Sequence, residues 1–400
     1  MTRVAQTAAI GVRITAVCTA VVVGLCCAAC GSRHPGADII ESDSAGIRLA
    51  TNTISSPRLL ARWTLDERPA LELGGADGEP EYRFSDIAGS AQLRNGRIVV
   101  LDAGRHHLRF FDRDGTFRHS VGALGRRAGE FREPYLVRSQ RRDGVLVHDY
   151  LLRRFTRVDA AGDITHTVDA RFSNARAIAA VDDRVLTFHS LFDVGGEPGV
   201  RELPAAFAIF DLGTGAQDTI GRFPGQLYFK AVDVGQPAVI LPVPFDVMPT
   251  GTAGAETFFI TTGELAEIRA YDIDGRLQRI IRLNEAVRAV TRAEFDSAVA
   301  NDTAASRALY AQLPVPPVRP AFDRIVVDEL DWIWVRRYAY RDDGAATWLV
   351  FDTQGRARST IEIPRRFDVH QIGDDYVLGS TRDHDGVEYV RRYALRRGSR

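Results

Sequence analysis

Arg105-His106-His107 and Asp383-His384-Asp385-Gly386 are two places where this chain gathers imidazole with other charged groups. Histidine beside carboxylates can ligate a metal or move a proton near neutral pH, and arginine can hold an anion. Comparable polar groups recur between apolar runs: Tyr150 and Arg153, Asp193 and Glu197, Glu264, and Arg341-Asp342-Asp343. Adjacent side chains on extended backbone point to opposite faces, so His106 and His107 do not easily share one ion. Asp383–Gly386 lacks the further carboxylates of a calcium-binding EF-hand loop, and Asp385-Gly386 reads more simply as a hairpin turn. Gly122, Gly125 and Gly129 surround Arg126 and Arg127 like a phosphate cradle, without the Lys-Ser/Thr that completes a P-loop. Gly-x-Ser-x-Gly, His-Glu-x-x-His and the dinucleotide fingerprint do not occur. Catalytic and metal-ligating residues therefore stay unassigned. The ligand-binding candidates are Arg105, His106, His107, Arg126, Arg153, Asp193, Glu264, Asp383 and His384.

These groups need elements to carry them, and the elements repeat. An apolar residue, Asp, two residues and Gly recur at Asp112, Asp159, Asp272 and Asp352, and one residue longer at Asp211. The spacings are 47, 52, 61 and 80 residues. Each Asp can bond backbone two residues on, and each Gly supplies the positive φ of a turn. Short β-branched and aromatic runs lie on either side, as in Arg97–Asp102, Leu108–Asp112 and Phe117–Val121. Antiparallel four-stranded sheets repeated in this way are propeller blades. Five sets are legible, and Phe367–Ile372, Tyr376–Thr381 and Val387–Leu395 supply three strands of a sixth. Arg62–Leu73 is expected to complete it, closing the ring without a free edge. The fold class is thus all-β: a six-bladed β-propeller closed by an N-terminal strand on the C-terminal blade. Asn284–Pro320 interrupts the rhythm with apolar residues at helical spacing, which predicts a helical insertion near 284–312, ended by prolines. Lys230–Gly254 reads as an enlarged loop or first strand. Trp332, Trp334, Tyr338, Tyr340 and Trp348 read as packing between sheets.

Composition narrows the function. Lysine plus arginine number 51 against 52 acidic residues, and Lys230 is the only lysine. Scattered arginines matched by Asp and Glu exclude a nucleic-acid partner. All four cysteines fall within the first 30 residues, so the body carries no disulfide or thiolate site. Arg3 and Arg13 precede an uncharged run, Ile14–Ala29, followed by Cys30-Gly31-Ser32. This is the pattern of a secretory signal, and Cys27-Ala28-Ala29-Cys30 resembles a bacterial lipobox. The expected organisation is a signal peptide over 1–29, a tether over 30–44 and the propeller over 45–400. Cys30 carries the lipid, and the protein is held at the membrane of the cell envelope or periplasm.

Asp43–Ile47, Gly96–Asp102, Gly125–Phe131, Phe322–Trp334, Trp348–Asp352 and Asp374–Tyr393 carry a resemblance to NHL-repeat-like propellers. More closely, the chain resembles the six-bladed β-propeller lipoproteins of environmental bacteria, over residues 43–396. The resemblance implies an exported, often lipid-anchored binding protein. The missing catalytic signatures then point to a module that holds a small molecule, glycan or protein segment at the axial mouth, with no cofactor expected. NHL-type propellers also include lyases, and similar rings include calcium-dependent lactonases and arylesterases. The alternative is therefore a metal-dependent hydrolase or lyase with calcium on the axis.

Overall fold

Asp159 Oδ1 accepts from Ala161 N–H and Asp163 N–H at 2.9 Å, and Asp352 Oδ1 from Gln354 N–H and Arg356 N–H at 2.9 and 3.0 Å. Asp211 and Asp272 do the same, and Gly115, Gly162, Gly215, Gly275 and Gly355 all have positive φ. The repeated turn signal is thus a repeated turn. The computed structural model describes residues 38–55, 60–76, 78–137, 143–170, 175–190, 197–231, 239–286, 288–339 and 344–398. The stretch read as a signal, with Cys30, and Asp193, Tyr340 and Arg341-Asp342-Asp343 lie outside the described residues.

The described residues begin with β1 (Asp38–Ser44), β2 (Ile47–Thr53), β3 (Ala61–Leu65) and β4 (Leu71–Gly74). β5 (Ile87–Gln92), β6 (Ile98–Asp102), β7 (His107–Phe111) and β8 (Phe117–Val121) form an antiparallel sheet. β9 (Pro134–Val137), β10 (Val145–Asp149), β11 (Arg154–Val158) and β12 (Ile164–Asp169) form the next. A third holds β13 (Ala175–Val181), β14 (Arg184–Ser190), β15 (Gly199–Asp211), β16 (Gln217–Ala231) and β17 (Val239–Pro242). The fourth is β18 (Thr250–Ala253), β19 (Thr257–Thr261), β20 (Glu267–Asp272) and β21 (Leu277–Leu283). Two short helices follow, α1 (Arg292–Ala298) and α2 (Ala304–Tyr310). β22 (Phe322–Val327), β23 (Ile333–Arg337), β24 (Ala345–Phe351) and β25 (Ala357–Pro364) make the fifth set. β26 (Asp368–Ile372), β27 (Tyr376–Arg382) and β28 (Glu388–Arg396) end the chain, and β4 pairs antiparallel with β28.

Apolar side chains pack between successive sheets. Leu101 and Phe110 meet Val145 and Val147, and Leu146 and Phe155 meet Val185 and Phe210. Leu186 and Phe207 meet Phe258 and Ile260, and Ile268 meets Ile325 and Val335. Trp334 and Trp348 meet Val369 and Val377, whereas Leu378 and Val390 meet Ile98 and Val100. Burying both faces of each sheet explains continuous apolar runs such as Ile98–Leu101, all 0% exposed. Among the innermost strands, β5 touches β9, β9 touches β13, and β13 touches β18. β18 in turn touches β22, β22 touches β26, and β26 touches β5. Stacked antiparallel sheets arranged in this way are a β-propeller.

Three expectations need adjusting. The polar stretch assigned to the tether contains β1, whose Asp38–Ser44 pairs with β2 across a turn at Ala45-Gly46. Both turn residues have positive φ, and Asp43 Oδ1 accepts from Gly46 N–H at 3.0 Å. Hydrogen bonding to β2 makes this exposed strand, and its side chains give little apolar signal. Of Arg62–Leu73, only the part in β4 joins β28 along the edge expected of a fourth strand. β3 bridges two sets instead, parallel to β25 and antiparallel to the end of β28. The insertion holds two short helices rather than one, because Thr291 and Thr303 each cap a new start. The long interval between Asp211 and Asp272 holds β16, which stays paired with β15 from Phe210↔Gln217 out to Gly199↔Lys230, and the added strand β17.

Candidate functional site

Each innermost strand is the edge of its sheet, so its alternate side chains face the axis. Glu133 and Tyr135, Arg176 and Ile178, Thr250 and Thr252, Arg324 and Val326, and Asp368 and His370 follow this i, i+2 pattern. With Asp86, Ala88 and Ser90 they wall a cavity of about 670 Å³ reached by all six innermost strands. That size suits a small molecule.

The polar lining is organised into pairs. Arg324 Nη1 lies 2.6 Å from Asp368 Oδ1, and its Nη2 donates to Val369 O at 2.7 Å. His370 Nε2 is 3.4 Å from Asp368 Oδ2, and its Nδ1 is 2.8 Å from Ser90 Oγ. Ser380 Oγ also approaches His370 Nε2, at 3.3 Å. Partial burial of Asp368 opposes ionisation, but the hydrogen bond from His370 and the charge of Arg324 outweigh it and hold the carboxyl well below its usual range. Across the cavity Tyr135 OH donates to Glu133 Oε1 at 2.7 Å, and the Arg176 guanidinium lies 4.5 Å from the Tyr135 ring centre. Burial and then the Glu133 hydrogen bond raise the Tyr135 phenol, against the pull of Arg176.

Two buried devices hold the rim. Asp102 accepts from Ser85 Oγ at 3.0 Å and from Asp86 N–H at 3.3 Å, while Arg109 donates to the carbonyls of Glu81 and Arg83 at 2.6 and 3.0 Å. The pair is itself joined at 2.9 Å, with both side chains no more than 3% exposed. One sheet further on, Asp149 accepts from Arg132 N–H at 2.6 Å and Leu152 N–H at 2.9 Å. Arg154 there donates to the carbonyls of Arg126, Arg127 and Glu130. Both devices fix the link that enters an innermost strand, and so they place Asp86 and Glu133.

The described loop candidates are not gathered into one site, and none of them is among the described residues lining this cavity. Arg105 is half-exposed, with Nε 3.9 Å from Asp102 Oδ2. His106 has a φ of +59°, and burial, then Arg109, lowers the neighbouring His107. Arg126 and Arg127 donate both N–H groups to Glu130 Oε2 at 2.8 Å, so the chain's own carboxylate occupies the proposed anion cradle. Arg153 is exposed with a φ of +52°. Glu264 borders a separate cleft of about 380 Å³ beside Leu265, Arg282 and Arg319. Asp383 Oδ1 accepts from Asp385 N–H at 3.0 Å and Val387 N–H at 2.9 Å, which makes Asp383–Gly386 a hairpin turn with His384 exposed at its tip. Potential ligand atoms of Asp383, His384 and Asp385 lie within 4.8 Å of one another. The signal that could find the lining is a polar residue at the start of a set's first strand, at Arg176, Thr250, Arg324 and Asp368, repeated two residues on only in Thr250-Gly-Thr252 and Asp368-Val-His370.

No known family's sequence model matches this chain, and no curated protein sequence matches it. Among solved structures it is similar to an inferred exported protein of Bacteroides fragilis at 11% identity, covering 84% of this chain and 98% of that one, with a TM-score of 0.47. A member of the DUF4221 family from Bacteroides vulgatus is 9% identical over 85% of this chain and 100% of its own, with a TM-score of 0.43. A catalytically inactive virginiamycin B lyase from Staphylococcus aureus, crystallised with quinupristin, is 7% identical over 90% and 99%, with a TM-score of 0.41. Likeness at this level bears on neither ligand nor reaction.

Proposed function

We propose that this protein is an exported six-bladed propeller that binds a small polar molecule in its axial cavity. The observation that carries the reading is the cavity of about 670 Å³, lined by the Arg324–Asp368 ion pair and, across from it, by Glu133, Tyr135 and Arg176. Arg324 and Arg176 can take an anionic group, and Asp86, Glu133 and Asp368 can take donors. A compact polar metabolite fits that volume better than a glycan chain or a folded protein segment. Six sets of strands support the blade count, and the contact of β26 with β5 together with the β4–β28 pairing supports ring closure. Export rests on the basic start, apolar run and Cys30 of the sequence, with a lipid on Cys30 as the membrane link. Binding needs no cofactor in this reading.

The test is a metabolite screen by thermal shift and calorimetry, with Arg324→Ala and Arg176→Ala as controls. A hit weakened at least tenfold by either change supports the reading. A bound molecule whose affinity ignores both changes removes it. For the anchor, a Cys30→Ser protein is expected in the soluble fraction, whereas the parent chain is expected with membranes.

The grouping of Asp383, His384 and Asp385 favours a different reading, calcium held at the turn between β27 and β28 and away from the axial cavity. Against it, Asp383 already accepts two backbone N–H groups and Tyr389 OH at 3.2 Å. A calcium titration that raises stability in the parent chain but not in Asp385→Ala would favour that alternative.

A further inference from the structure

We propose that Ser90, His370 and Asp368 form a nucleophile, base and orienting carboxylate that hydrolyse a small carboxylic ester in the axial cavity. The inference rests on that cavity being the ligand site. The three side chains form one chain of contacts: Ser90 Oγ to His370 Nδ1 at 2.8 Å, and His370 Nε2 to Asp368 Oδ2 at 3.4 Å. With Nε2 protonated toward Asp368, Nδ1 is free to accept the hydroxyl proton, which is the division of labour that activates a serine. All three residues line the same cavity.

The backbone has been bent to bring them together. The register of β5 shifts between Ile87 and Gly89, immediately before Ser90. The register of β26 shifts between Val369 and Gln371, at His370. A bulge re-aims the side chains beside it, and such bulges concentrate near active sites. Gly89 serves this bend, since a Cβ there meets Leu136 Cβ at 2.8 Å and its φ is +148°. Gln92 N–H points away from β6 and donates to Gln371 Oε1 at 2.7 Å. Ser90, two residues earlier, presents its N–H on the same edge, where it can donate to a carbonyl oxygen as that oxygen gains charge. Arg324, held against Asp368, supplies a cation for a carboxylate elsewhere on the substrate.

The chemistry is self-contained with water. Ser90 Oγ bonds to the ester carbonyl carbon as its proton passes to His370 Nδ1 and the carbonyl pair moves onto oxygen. Collapse of this adduct breaks the bond to the alcohol oxygen, which takes the proton from His370. Water then attacks the acyl-serine with the same proton transfers, releasing the acid and restoring Ser90.

The test uses the parent chain, a fluorophosphonate probe and p-nitrophenyl acetate. Peptide mapping is expected to place a single phosphonate adduct on Ser90, and the adduct is expected to abolish ester turnover. Ser90→Ala should remove the adduct and lower turnover about a hundredfold, and His370→Gln should lower it while flattening its pH profile. An unlabelled Ser90 in the parent chain overturns the proposal, whatever the variants do. If Ser90 is unlabelled while an Arg324-dependent metabolite still binds, catalysis fails and the binding reading stands; if no such metabolite binds, the cavity reading fails as well.

Discussion

Arg397 Nη2 donates to Asp328 Oδ2 at 2.9 Å, and the same guanidinium lies 4.8 Å from the ring centre of Trp63. One side chain near the C-terminus thus ties the end of β22 to a strand from the N-terminal part of the chain. Asp328 is fully buried and also accepts from Trp334 Nε1 at 2.9 Å. Burial pushes its carboxyl up, and the Trp334 hydrogen bond and Arg397 pull against that shift. Arg397→Met keeps the aliphatic stem but leaves this carboxylate short of its cation. It should cost about 2–4 kcal/mol in denaturant unfolding, at the lower end of removing one partner of a buried pair because Trp334 and backbone N–H groups remain. A loss under about 0.5 kcal/mol would show that the stacking, not the charge, holds this corner.

Leu73 is 1% exposed in β4, packed with Ile98, Val100 and Val390. Leu73→Asp puts a charge in that seam and should detach β4 from β28. The expected readout is fast amide exchange in β28 and a loss of at least about 3 kcal/mol. Unchanged protection in β28 would mean that β4 does not hold this edge of β28.

Asp102 and Arg109 should behave as a coupled pair. Arg109→Met alone leaves a buried carboxylate and is expected to cost about 3–5 kcal/mol. Asp102→Leu together with Arg109→Met should cost less than the sum of the two single changes, in a double-mutant cycle of urea melts. Strict additivity would argue against the pairing.

His148 is 1% exposed, its Nδ1 accepts from Ala177 N–H at 3.3 Å, and its ring lies against Phe155. Burial, partly offset by Asp149 and reinforced by Arg176, lowers it to about 4 from an ordinary 6.5. Between these values the unfolded chain binds a proton that the folded chain does not, so unfolding free energy rises with pH through the window. The stabilisation is complete above 6.5 and is lost as pH falls toward about 4. It amounts to about 2–3 kcal/mol, and His148→Gln should flatten that slope between pH 4.5 and 7 by about as much. Identical slopes in both proteins would exclude His148 as the titrating group.

Glu130 decides whether the glycine-rich link can hold an anion. Its carboxylate takes the N–H groups of Arg126 and Arg127, and those bonds hold it below its usual range. Glu130→Ala should therefore create weak phosphate binding that the parent protein lacks, read by phosphorus NMR line broadening. Equal broadening in both would show that the cradle is open without the substitution.

How much could be read beforehand follows from the range of the interactions. Asp-x-x-Gly turns, alternating strands and interruptions by proline are local, and a turn such as Asp352–Gly355 contains its own donors and acceptor. Their repetition was enough to identify propeller sheets and to assign a polar, cysteine-free body. The β1–β2 hairpin escaped because backbone pairing, not apolar contrast, defines it. Loop residues such as Arg105 and Asp383 look chemical because their neighbours in sequence are charged, yet Arg105 lies against Asp102 and Asp383 accepts the N–H groups of its own turn. Ser90 and His370 are 280 residues apart. Nothing near Ser90 in sequence marks it, and only the packing of β5 against β26, with a bulge in each, brings hydroxyl and imidazole within hydrogen-bonding distance. The sequence by itself determined the repeating unit, because a strand and its turn are set by neighbours. Which side chains share the axial cavity was decided by tertiary structure alone, because the wall takes one strand from each set and no two of those strands adjoin in the chain.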